Sequence, residues 1–351
     1  MSQSLTKRIE TILRHNEDDN EILLRLGQLL LEENVQAPVL KATKTISELF
    51  EEHNSLLQQL KVGSRFIKTG FKHYDMAFGG FMLGELVIVG GKPGMGKAQL
   101  LTNISINVSK VHPVLYFSFD LNEYRLTTKF ISTLTGIESQ VLHEMNYSEE
   151  TKNLIDEAGR VLSGLDLMIN DDAGISLSNF RATCQKHIAE NGVKLIVVDE
   201  LQLMCSAHKY RNSRELEISS ISRELKNIAK EFDVCVVAGS QLNRTSESRN
   251  SSLDMRPILS ELRESGSIEQ DADKVIFVNR PEYFQLTEDA NGNSLVGIAE
   301  LIIAKNKIGQ LGDVHIKRNE NFTSFSDLDY DQSSAFVFPD ARLNEMSDVT
   351  Y

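Results

Sequence analysis

The chain has 351 residues with 41% hydrophobic content, enough to bury a full core in one large domain with an appendage. Its formal net charge of −13 excludes wholesale coating of nucleic acid or of an anionic membrane. A local basic channel stays open, because steering depends on where charges sit. The three cysteines, Cys184, Cys205 and Cys235, are widely spaced, which argues against a disulfide framework or zinc site and for a reducing compartment. No run has the length of a signal-peptide core or a bilayer span, so a soluble cytoplasmic protein without a membrane partner is expected.

Residues 4–31 carry helical spacing, with Leu5, Ile9, Ile12 and Leu13 on one face. Pro38 interrupts the pattern. Residues 46–60 then align Ile46, Leu49, Phe50, Leu57 and Leu60 in an apolar stripe. Spacing alone leaves open whether that stripe packs on its own domain or on a neighbouring subunit. From Gly70 the texture becomes short apolar runs at 85–90, 114–119, 195–199, 234–240, 274–279 and 299–305, read as strands. Most are continuously apolar, the pattern of strands buried on both faces of a parallel sheet. Helical spacing fills 98–110, 121–135, 148–163, 177–191 and 212–232, so the alternation predicts a doubly wound α/β domain. The expected division is a short helical segment (1–38), a linker helix (39–63), the α/β domain (64–330) and a tail (331–351).

Residues 91–98 read GKPGMGKA, a phosphate-cradling loop of the form G-x-x-x-x-G-K-[ST] with alanine in the last place. A strand enters it and a helix leaves it, as the chemistry requires. Gly91, Lys92, Pro93, Gly94, Met95, Gly96, Lys97, Ala98 and Gln99 are the expected nucleotide-binding residues, through the amides of 93–98 and the positive helix end. Lys97 supplies a point charge to the β- and γ-phosphates. Ala98 removes a hydroxyl ligand for Mg²⁺, which threatens hydrolysis more than binding. Asp199 closes an apolar strand where open α/β sheets bind ligands and is the expected Mg²⁺ carboxylate. Glu200 follows it as an undecided second acid. Asp120 ends another strand, placed either to orient water or to cap the next helix.

These blocks in this order, with VLYFSFD, IVVDELQLM, the 213–244 segment, LRESGSIEQDADKVIFVNR and the 297–325 segment, resemble DnaB-type replicative DNA helicases. The likeness runs from about Thr45 to Phe325 and implies a RecA-like P-loop ATPase fold with a central, mostly parallel sheet. It further implies a hexameric, ATP- and Mg²⁺-dependent helicase acting in replication, moving on single-stranded DNA in a bacterial or phage-infected cell near the nucleoid, and served by a loader or other replisome protein. By position, Asp199 is the acid of the second nucleotide motif, Asp120 takes the place of the family's catalytic glutamate, and Gln241 senses the γ-phosphate. Arg263, Glu264 and Gly266 fall where the family grips the DNA backbone. Lys305 and Lys307 correspond to its Lys-x-Arg, which reaches a neighbour's ATP site. The 46–60 helix matches the linker that docks on the adjacent subunit.

Ala98, Asp120 and Lys307 depart from the family pattern, and all three concern hydrolysis. Lysine in place of arginine exchanges a planar fork for a compact charge. The departures open an alternative: a degenerate ATP-binding relative serving as loader, adaptor or regulator. A recombinase-like filament or a signalling ATPase fits less well, because the RESG segment is characteristic of the helicases. The roughly 40 residues before the linker fall short of the family's N-terminal domain, so primase recruitment in the usual manner is not expected.

Overall fold

The computed structural model describes residues 22, 43–59, 65–144, 146–205, 214–242, 256–262, 266–289, 292–328 and 336–337. The chain divides into two compact units, Met1–Val62 and Gly63–Tyr351. In the first, helix α1 (Ile46–Gln59) is opened by Thr45, whose hydroxyl accepts from the Glu48 amide while Glu48 accepts from the Thr45 amide. That reciprocal pair is a capping box, satisfying two donors that the helix start leaves over. Ile46, Leu49 and Phe50 lie exposed on α1. The helical reading of 4–31 lies outside the described residues, apart from Ile22.

The second unit is built around one large sheet. In chain order its elements are β1 (Phe66–Ile67), α2 (Lys72–Phe78), β2 (Phe81–Met82), β3 (Leu86–Gly91), α3 (Lys97–Ser109), β4 (Val114–Phe117), α4 (Glu123–Thr135), α5 (Ser139–Glu144) and α6 (Glu149–Ser163). There follow β5 (Leu167–Asn170), α7 (Leu177–Asn191), β6 (Leu195–Val198), α8 (Arg214–Phe232), β7 (Cys235–Gln241), α9 (Gly266–Asp271), β8 (Lys274–Asn279), β9 (Ile298–Asn306), β10 (Gly312–Arg318), β11 (Phe325–Asp327) and β12 (Phe336–Val337). The sheet order is β11-β10-β9-β8-β3-β7-β6-β4-β5, with β12 added on β10. β1 and β2 form a separate small ribbon.

Strands β8, β3, β7, β6, β4 and β5 are parallel neighbours. Their continuous apolar character follows from burial on both faces. Val87, Val89, Tyr116 and Val197 enter the core under α3 and α4, while Leu86, Ile88, Phe117 and Val198 enter the core under α7 and α8. Side chains alternate across a strand, so both cores need apolar residues at every position. The helices begin where the sequence offers caps: Asn122, Ser148 and Ser176 each accept from the amide three residues on.

The run at 299–305 departs from the parallel reading. It lies in β9, which pairs antiparallel with β8 and with β10. Its burial alternates along most of its length, as in a strand with one wetter face. β5 and β10 are strands the periodicity did not single out; β5 is only half-buried. Phe336 and Val337, inside the segment read as a tail, pair with β10. Among the described residues no helix is long and apolar enough to cross a membrane.

Candidate functional site

All six parallel strands point their carboxyl ends to one rim, and the glycine loop leaves that rim from β3. β3 lies between β8 and β7, and Gly91 pairs with Gln241 at the end of β7. Gly94 and Gly96 take the left-handed conformation, φ +81° and +94°. A Cβ on Gly96 would stand 2.7 Å from the rings of Phe322 and Phe325, so glycine is required there by space as well as by backbone. Arg280 Nη1 donates to the Gly94 carbonyl (3.0 Å), with its guanidinium stacked over Phe322. The loop is thus held from outside by residues of β8's end and the turn after β10.

The amide donors differ in one respect from the sequence reading. Pro93 has no N–H, and the Met95 amide donates to the Lys92 carbonyl at 3.3 Å. Among the described residues, Gly94, Gly96, Lys97 and Ala98 make no such backbone bond, and they form the cradle at the start of α3. Gln99 is buried and turned toward α4, where Nε2 donates to Thr133 Oγ1 at 2.9 Å. Ala98 brings no hydroxyl. Its carbonyl accepts from Thr102 Oγ1.

Asp199, just past β6, is 6% exposed. Its carboxylate accepts from Phe119 N (3.0 Å), Ser118 Oγ (3.0 Å) and Asp120 N (3.3 Å). Burial raises its proton affinity above the ordinary carboxylate range, against the lowering pull of these hydrogen bonds. Asp199 therefore shapes the turn that follows β4. Gly239 of β7 permits the close approach of that region: a Cβ there would stand 2.0 Å from the Asp199 carbonyl oxygen. Asp120 itself is exposed, and it does not cap α4; Asn122 does.

Glu200 is the residue that the sequence left undecided. Its Oε2 lies 2.5 Å from Lys97 Nζ, and the two side chains are 18% and 12% exposed. Its Oε1 accepts from the Gln241 amide at 3.0 Å, and Gln202 accepts from the same amide. Lys97, Glu200 and Gln241 are therefore one cluster, spanning β3, β6 and β7. A separate cavity of about 530 Å³ opens along α4 and α5, lined by Gln99, Arg125, Lys129, His143 and Phe322 among others. Burial lowers the Lys129 ammonium to about 8, partly offset by the charges of Asp199 and Asp120. Arg125 and Lys129 were not singled out in the sequence, although their i, i+4 spacing on α4 puts both on one face.

Lys305 and Lys307 have other partners than this cluster. Lys305 Nζ donates to the Glu269 carbonyl, and Lys307 Nζ lies 3.0 Å from Asp273, which also binds Lys226. Lys305 is half-buried, whereas Lys307, just past the end of β9, is exposed apart from this ion pair. Gly266 opens α9 with nothing within 4 Å of a Cβ. Arg263 and Glu264 lie outside the described residues.

A parallel sheet carrying a glycine loop on its central strand and an acid two strands away defines a RecA-like P-loop ATPase. The chain belongs to the DnaB-like helicase family, which matches as a DnaB-like helicase C-terminal domain over residues 66–327. It is 35% identical over 330 residues to the replicative DNA helicase DnaC of Bacillus subtilis (strain 168), covering 93% of this chain and 71% of that protein. It is 38% identical over 268 residues to the replicative DNA helicase DnaB of Haemophilus influenzae, covering 75% of this chain and 55% of that one. Among solved structures, a DnaB-like replicative helicase, described together with its interactions with primase, superposes with a TM-score of 0.73 at 26% identity. The match covers 93% of this chain and 75% of that one. The chain spans little more than half the length of the Haemophilus relative.

Proposed function

We propose that this chain is the ATP-driven motor of a ring-forming replicative DNA helicase, moving on single-stranded DNA. The observation that carries the reading is the cradle at Gly94–Ala98 with Lys97 set against the acids after β6, in a chain of the DnaB-like family. In this reading the amides of Gly94, Gly96, Lys97 and Ala98 and the Lys97 ammonium bind the β- and γ-phosphates of ATP. Mg²⁺, when bound with the nucleotide, would supply neutralisation of charge on the transferred phosphoryl group. No cluster of three or more metal-binding side chains occurs among the described residues; Asp199 and Glu200 are the acids that follow β6, and Glu200 is already paired with Lys97. That sparse donor set would suit a cation that arrives with the nucleotide and keeps most of its waters, with Asp199 as the residue that would hold it.

Gln241 reports nucleotide state along β7, and Arg263, Glu264 and Gly266 hold the DNA backbone in the channel. Lys305 and Lys307 act on a neighbouring subunit's ATP. The hexamer closes through α1, and the compartment is the cytoplasm near the nucleoid. ATP turnover measured with and without single-stranded DNA tests the reading. Stimulation by DNA, lost in Lys97→Ala along with nucleotide binding, is the expected result; unchanged nucleotide affinity in Lys97→Ala refutes the site.

Ala98 favours a second reading, an ATP-binding relative that loads or regulates another helicase. Nucleotide-dependent assembly without DNA-stimulated turnover would select it.

A further inference from the structure

This inference rests on the ATPase reading above. We propose that Glu200, and not Asp120, is the carboxylate that accepts a proton from the attacking water. Lys97 carries the ammonium that meets the terminal phosphate, and Glu200 Oε2 lies 2.5 Å from it. Its carboxylate is therefore already at the γ-phosphate end of the cradle. Oε1 is held separately by the Gln241 amide at 3.0 Å. A phosphate that takes over Lys97 removes one partner of Glu200 and leaves the other in place. The carboxylate then keeps its position and presents Oε2 toward the cradle.

Asp120 offers less. Its backbone amide is fixed on Asp199 at 3.3 Å, the carboxylate is exposed, and the side chain is short. A misplacement of about 1 Å at a reacting centre costs roughly a hundredfold in rate. Asp120 lies within electrostatic range of Lys129 and Tyr116, on the side of the site that faces α4. Glu200 lies on the side that faces β7.

In the step itself the water oxygen bonds to the γ-phosphorus. The bond from that phosphorus to the bridging oxygen breaks, with its electron pair leaving on ADP. One proton of the water passes to Glu200 Oε2 and is later released to solvent. No other reactant is needed. Because the same carboxylate accepts the Gln241 amide, proton transfer is tied to the end of β7.

The test compares Glu200→Gln with Asp120→Asn in the full chain, by equilibrium binding of a fluorescent ATP analogue and by single-turnover ATP hydrolysis with Mg²⁺ and single-stranded DNA. For Glu200→Gln the expected result is binding equal to or a few-fold tighter than wild type, since Lys97 loses its competing partner, with hydrolysis slowed by about 100-fold or more. Asp120→Asn should slow hydrolysis by less than about 10-fold. If Glu200→Gln does not fold, Glu200→Asp keeps the charge on Lys97 but retracts the carboxylate, and the same rate loss of about 100-fold is expected. Tighter binding with an unchanged rate would reduce Glu200 to a counter-ion and overturn the proposal. So would a large loss confined to Asp120→Asn, or a wild-type chain that binds the analogue without hydrolysing ATP. Failure of the wild type to bind it at all, with Lys97→Ala indistinguishable, would overturn the ATPase reading as well.

Discussion

At position 98 a methyl group stands at the head of α3, beside amides that still face the cradle. Backbone donors do not depend on the side chain, so binding and metal-assisted turnover respond differently to this one residue. Ala98→Thr supplies the absent hydroxyl at the cost of a few tenths of a kcal/mol in helix propensity. Its Mg²⁺-dependent turnover should rise by about 10-fold, while nucleotide affinity without Mg²⁺ stays within a few-fold. A magnesium titration of ATPase rate, run on both chains, decides it; equal rates at every magnesium concentration would show that position 98 is not limiting. The glycine loop and Asp199 were legible because their chemistry is written in contiguous runs. The Lys97–Glu200 contact was not, since its partners stand 103 positions apart and meet only through the order of strands.

At the scale of elements, the turn after β8 shows how the loop is supported. Burial alone would raise the Glu282 carboxyl, but hydrogen bonds from Arg318, Arg280 and the Gly297 amide outweigh it and bring it down to about 2. A carboxyl depressed in the folded state stabilises the fold fully above its unfolded value of 4.5. That contribution fades as the pH falls through the folded value. Glu282→Gln should therefore cost about 2 kcal/mol at pH 7 and almost nothing at pH 2. Thermal melts of both proteins across that range give the answer, and a constant difference would contradict it. Nucleotide affinity should fall too, because Arg280 also holds the Gly94 carbonyl.

Helix α1 carries a different expectation. Ile46, Leu49 and Phe50 are 82%, 47% and 63% exposed, which is costly for three aligned apolar side chains unless another surface covers them. Leu49→Asp with Phe50→Asp should convert the assembly to monomers in a native mass measurement; persistence of the oligomer would remove α1 from the contact. Five of the six parallel strands (β3, β4, β6, β7 and β8) and the helices α3, α4, α6, α7 and α8 were readable to within about two residues, since burial on both faces leaves an unbroken apolar signature. β5 is half-buried and flanked by Asp166 and Asp171, so its signal is diluted. The direction of β9 was not readable, because an apolar run carries no sign of which way its neighbour runs.

For the whole molecule, overall acidity requires that DNA affinity come from a concentrated basic lining. In the proposed ring, Arg263 repeated in every subunit would multiply a modest phosphate contact by simultaneous engagement. Arg263→Ala should weaken single-strand binding for every sequence alike and flatten its salt dependence. Titrations against salt for both chains test this, and identical slopes would take Arg263 out of the interface.

The antiparallel turn of the sheet at β9 has a further result. Lys305 pairs with Val275, which is level with Ile88, and the Lys307 amide bonds to the Asp273 carbonyl at the start of β8. At about 3.3 Å per residue, Lys305 sits roughly 10 Å short of the strand end from which the phosphate loop departs, and Lys307 farther back. In the proposed ring, the nucleotide on which these lysines act would be one held by another chain. Under that proposal each polypeptide would carry two halves of different reaction centres, and work per chain would fall on dilution even when every chain is folded. Two inactive proteins, Lys97→Ala and Lys307→Ala, would regain turnover when mixed, at the junctions where an intact loop meets an intact lysine.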